Sequence, residues 1–123
     1  MAQPLAVVVY TSIIPGTQLV NKLQDMGYKV VTIQDPSLLP RLAEQEKPLV
    51  ILADIEKHRD VCAAITELRK SPATRHIPVI AFGQEKAADA HASAHQAGAT
   101  ITVSNTKLLD QLGTLLDQAL NVD

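Results

Sequence analysis

Five short apolar runs punctuate the chain: Leu5-Ala6-Val7-Val8-Val9-Tyr10, Lys29-Val30-Val31-Thr32-Ile33, Leu49-Val50-Ile51-Leu52-Ala53, Ile77-Pro78-Val79-Ile80-Ala81-Phe82 and Thr100-Ile101-Thr102-Val103. Each is too short for a stable helix and most are rich in β-branched residues. They are mainly continuous rather than alternating, the pattern of strands covered on both faces. Such strands need helices above and below, and the intervening segments supply them.

Leu19, Val20, Leu23 and Met26 recur at one-turn spacing ahead of Gly27, which predicts a helix over Pro15 to Met26 with a glycine cap. Asp35-Pro36 is a helix start, but Pro40 would cost an interior hydrogen bond five residues later. The helix carrying Leu38, Leu39, Leu42 and Ala43 is therefore either kinked or begins late. Val61, Ile65 and Leu68 mark a third helix that stops near Ser71-Pro72. An alanine-rich helix runs from about Glu85 to Ala97, closed by Gly98; its small side chains bury little, so it is expected among the less firmly held elements. Leu108, Leu112, Leu115, Leu116 and Leu120 stripe one last helix, entered through Ser104-Asn105-Thr106, any of which can cap.

Five strands alternating with five helices over short connections imply parallel pairing through right-handed crossovers. The expected architecture is a three-layer α/β/α sandwich around a five-stranded parallel sheet, in one domain spanning residues 1–123. A net charge of -2 gives no pull toward nucleic acid or anionic membrane. Lone Cys62 forms no internal disulfide, and neither a signal segment nor a membrane-length apolar run is visible, so the expected location is cytoplasmic.

In an open parallel sheet, ligands and chemistry gather beyond the carboxyl ends of the strands. The central run ends in Asp54, followed by the charged cluster Glu56-Lys57-His58-Arg59-Asp60. The pattern Pro48-Leu-Val-Ile-Leu-Ala-Asp54-Ile, the segment Leu68-Arg-Lys-Ser-Pro-Ala-Thr-Arg-His-Ile-Pro-Val-Ile-Ala81 and Ala97-Gly98-Ala99 together resemble the receiver domain of bacterial response regulators, from about Leu5 to Leu120. The resemblance implies a flavodoxin-like fold with strand order 2-1-3-4-5. It also implies that Asp54 matches the aspartate to which a histidine kinase hands a phosphoryl group.

The same resemblance exposes departures. Receivers hold Mg²⁺ with two acidic residues at the end of the first strand, where this chain has Tyr10 and Thr11, then Ser12. Neither hydroxyl replaces a carboxylate for a hard cation, so no metal site is expected. The hydroxyl that binds the phosphoryl oxygen at the end of the fourth strand is replaced by Gly83. The lysine and proline of the fifth strand are replaced by Asn105 and Thr106, and the proline after the acceptor loop by His58. If each lost donor or ion is worth roughly 3 kcal/mol, phosphotransfer slows by many decades.

The expectation is a pseudo-receiver, not an enzyme, that carries no cofactor and signals through a protein partner such as a histidine kinase or a downstream signalling protein. With no output domain in the chain, it passes its signal by contact or serves as a sink or adaptor. In receivers the fourth helix, fifth strand and fifth helix form the contact face. The matching surface is Ala87 to Ala97 with Lys107 to Leu120, open to a partner or a weak homodimer, although small residues suit tight packing equally well.

Plainer and rival readings stand beside these. A strand-end carboxylate such as Asp54 also caps the turn into a helix, and a working phospho-acceptor is the alternative to an idle one. Thr11 to Thr17 resembles the hydroxyl-rich phosphate loop of flavodoxins, which would imply FMN, but it is one residue long for that motif and aromatics are only 2% of the chain. Phe82 and Tyr28 are read as core. His91 and His95 share a helix face but lack further ligands for zinc. Arg69, Lys70, Arg75 and His76 read as a solvated basic loop at the end opposite Asp54, and Cys62 as an inert, half-buried thiol.

Overall fold

The β-branched runs form strands and the striped segments cover them in the computed structural model, which describes residues 4–10, 13–56 and 58–120. Strands β1 (Leu5–Val9), β2 (Lys29–Ile33), β3 (Val50–Asp54), β4 (Val79–Gly83) and β5 (Ile101–Ser104) make one sheet, all parallel, in the order β2-β1-β3-β4-β5. β3 and β4 are buried throughout, whereas the edge strand β2 leaves Lys29 and Thr32 exposed.

Alternate residues of the central strands enter two cores. Val7, Val9, Ile51, Ala53, Val79 and Ala81 face α2 (Leu39–Glu46), α3 (His58–Lys70) and α4 (Ala88–Ala97), meeting Leu39, Val61, Ile65 and Leu68. Ala6, Val8, Val50, Leu52, Ile80 and Phe82 face α1 (Ile13–Asp25), α5 (Asn105–Asp110) and α6 (Leu112–Leu120), meeting Leu19, Leu23, Leu112 and Leu116. The three-layer sandwich and its strand order are those expected.

The helix ends show which local signals act. Gly27 takes φ 93° after α1 and donates its N–H to the Gln24 carbonyl, while Tyr28 N–H reaches the Leu23 carbonyl, both at 3.0 Å; this is the paired closure that a left-handed glycine permits. Of the two options at Pro40, the late start is realised. Asp35 caps a 3-10 turn over Pro36–Leu38, accepting from the Ser37 N–H at 3.0 Å and the Ser37 hydroxyl at 2.8 Å. α2 then begins at Leu39, so Pro40 occupies its second position, where no amide is needed. α4 begins three residues later than expected, because Gln84 to Ala87 forms a turn, with the Ala87 N–H donating to the Gln84 carbonyl at 3.1 Å.

Two expectations need correction. The last helix is not continuous: it is interrupted at Gln111, whose φ is -122°, close to Gly113, a poor helix former. Ser104 is its cap, accepting from Lys107 N–H at 3.2 Å. Nor is Arg69 part of a solvated basic loop. It belongs to α3 and turns inward, donating from Nε to the Gly98 carbonyl at 3.0 Å and from Nη1 to the carbonyls of Arg75 at 2.9 Å and Ile77 at 2.8 Å. These three carbonyls hold the guanidinium against the fold, and burial lowers its pKa from the ordinary arginine value. Lys70 does face solvent, beside Glu67 at 3.6 Å.

Candidate functional site

The carboxyl ends of β1, β3, β4 and β5 converge at one edge of the sheet, and parallel register sets what stands level with what. Asp54 pairs with Phe82, and Gly83 with Ser104. Val9 pairs with Ala53, which places Tyr10 level with Asp54 one strand away. The fold therefore brings Tyr10, Asp54, Gly83 and Asn105 to the same end of the molecule; Thr11 and Ser12 lie outside the described residues.

Asp54 is 6% exposed, and its Oδ1 accepts from the Glu56 N–H at 2.8 Å. This is the turn-capping bond that a strand-end carboxylate makes as the backbone leaves the sheet. Tyr10 is half-buried; its N–H donates to the Ile33 carbonyl at 3.1 Å and its side chain packs on the core facing α1. Asn105 opens α5, and its Oδ1 is buried without a hydrogen-bond partner among the described residues.

At Gly83 a Cβ would stand 2.5 Å from Ile55 Cγ1 and 3.1 Å from Ile55 Cδ1. Real Cβ atoms do not approach carbon so closely, so the volume that a serine or threonine would use is already filled. Sequence reasoning missed Ile55. The available signal was the glycine itself, since glycine within a strand marks a close approach by another group.

The remaining candidates fall elsewhere. His91 on α4 hydrogen-bonds through Nε2 to the Gln84 carbonyl at 3.0 Å, and His95 is exposed. Among the described residues, no group of three or more His, Cys, Asp or Glu side chains is placed to hold a metal. Phe82 is fully buried and Tyr28 lies at the amino-terminal end of the sheet, which leaves Tyr10 as the aromatic ring near Asp54. Cys62 is half-buried against the α3 core, and burial pushes its thiol pKa up. Burial, and then the Asp117 carboxylate, push Tyr28 up as well. No helix of the described residues is long and apolar enough to cross a membrane.

No protein-family model matches the chain, and no curated protein does either. Solved structures do. A chain from Chloroflexus aurantiacus identified provisionally as a response regulator superposes with a TM-score of 0.88 at 16% identity, over 98% of this chain and 100% of that one. The receiver domain of the sensor histidine kinase PA1611 from Pseudomonas aeruginosa, solved with magnesium coordinated in its active-site cleft, gives 0.84 at 21% identity, over 98% and 100%. The response regulator domain of Thermotoga maritima CheB gives 0.80 at 24% identity, over 99% of each. The fold of this chain is the receiver fold.

Proposed function

We propose that this chain is a receiver-like signalling domain of the two-component type that works by binding a protein partner, without accepting a phosphoryl group on Asp54. The observation that carries this reading is the filled space at Gly83, where a Cβ would lie 2.5 Å from Ile55. A receiver needs a hydroxyl there to bind the arriving phosphoryl oxygens, and here neither the side chain nor the room for it exists. Tyr10 in place of a magnesium carboxylate and Asn105 in place of the lysine add to the case, because phosphoryl transfer depends on charge stabilisation at the transferring group. With chemistry removed, the domain is not an enzyme and shape conveys its message. A histidine kinase or a downstream signalling protein is the class of partner that fits. The contact face is α4, β5 and the α5–α6 pair, although Ala90 and Ala94 are spent on packing inside the core.

Intact-mass measurement after incubation with acetyl phosphate and Mg²⁺ tests this, with Asp54→Asn as the control because asparagine keeps an acceptor for the Glu56 amide. Unmodified protein in both samples is expected. A phosphoryl adduct on the native protein that Asp54→Asn abolishes would establish a working acceptor instead.

A further inference from the structure

Gly83 lies within β4, and its backbone is not left-handed, unlike Gly27 at φ 93° and Gly98 at φ 120°. What glycine supplies at this position is space. Ile55, 2% exposed, fills that space from just past the end of β3, and its N–H donates to the Phe82 carbonyl at 2.9 Å, one residue beyond Asp54. The nearest atom is Cγ1, one bond from the branch point, so relief of a clash needs rotation about χ1. A β-branched side chain in a packed core resists that rotation.

Directly after Gly83 the chain is tied again. The Gln84 carbonyl accepts from the Ala87 N–H at 3.1 Å and from His91 Nε2 at 3.0 Å, while the His91 N–H donates to the Ala87 carbonyl at 3.0 Å. The strand end and the turn into α4 thus form one bracket, anchored at its base by an isoleucine in the place where a side chain of residue 83 would project.

We propose that Ile55 is an apolar latch: seated on Gly83, it holds the end of β4 and the turn from Gln84 to Ala87 in a single arrangement and so presents α4 in a fixed position. Its meaning as a constitutive signal rests on the reading above, whereas its physical content does not. Isoleucine in this seat and any side chain at position 83 exclude each other.

A double-mutant cycle tests the exclusion. Gly83→Ser should lower the urea midpoint in the native background and lower it much less in Ile55→Ala, because truncation opens the seat. Native-state hydrogen exchange tests the latch: the Ala87 and His91 amides should exchange about tenfold faster in Ile55→Ala than in Leu116→Ala, a control that truncates the opposite core. If Ile55→Ala does not fold, Ile55→Leu, which keeps the volume but has no branch at Cβ to hold a γ carbon in the seat, carries both comparisons. An equal Gly83→Ser penalty in both backgrounds, or exchange no faster than in the control, overturns the latch. Such a result leaves the acetyl phosphate experiment untouched, and a phosphoryl adduct in that experiment leaves the cycle untouched.

Discussion

Arg69 shows how one residue can change meaning between sequence and structure. At the end of a helix and beside Lys70, an arginine ordinarily faces water, and nothing local marks it otherwise. Its acceptors are six, eight and twenty-nine positions away in the chain. The contact fixes Gly98 too, because a Cβ there would lie 2.8 Å from Arg69 Cγ, at a φ of 120° that already favours glycine. Replacing Arg69 with methionine keeps most of the stem but removes all three hydrogen bonds, two of them part-buried. At the usual worth of hydrogen bonds from a charged donor, the expected loss is about 2–3 kcal/mol in urea denaturation. Lys70→Met, on the exposed neighbour, should stay within about 0.5 kcal/mol. Equal effects from the two would contradict the inward-facing role. Asp54 was legible at this scale, because a carboxylate ending a buried strand is visible in the sequence; Ile55 was not, because its partner Gly83 comes from another strand.

At the scale of elements, periodicity identified every strand and missed one break. Leu108, Leu112, Leu115 and Leu116 all enter the same core, so the stripe runs through the interruption at Gln111 without a change of phase. The backbone bonds on either side persist, with the Gln111 N–H donating to the Lys107 carbonyl and the Leu115 N–H to the Gln111 carbonyl, each at 2.9 Å. Only Gly113 hinted at weakness. Its added Cβ would meet nothing nearer than Met26 Cε at 3.9 Å, an ordinary contact, and its φ is not left-handed. Gly113→Ala should therefore stabilise the protein by about 0.5–1 kcal/mol and raise helical circular dichroism slightly. A loss of stability would mean that the bend is required by packing. Pro40 was the opposite case: its missing donor made a late helix start one of two options from the sequence, and the 3-10 turn before α2 realises it.

For the molecule as a whole, the sequence carried the layer order because continuous β-branched runs must be buried on both faces, and five of them leave few other solutions. It carried the site as a set of missing groups, and could not reveal what fills the resulting space. The half-buried groups also set a pH response. Burial raises the Cys62 and Tyr28 pKa values in the folded state, so their contribution is full below the ordinary values and is lost as pH climbs through the raised ones. The urea midpoint should hold between about pH 7 and 8 and fall above about pH 9, less steeply in Cys62→Ala, given ordinary thiol and phenol values near 8.5 and 10. A midpoint that rises across that range would contradict the assigned burial. The central claim, that no phosphoryl group is taken up at Asp54, is tested most directly by titrating the native protein with beryllofluoride and Mg²⁺ while following the amide resonances of Asp54 and Gly83. The expected result is no saturable change; saturation at low millimolar magnesium would contradict it.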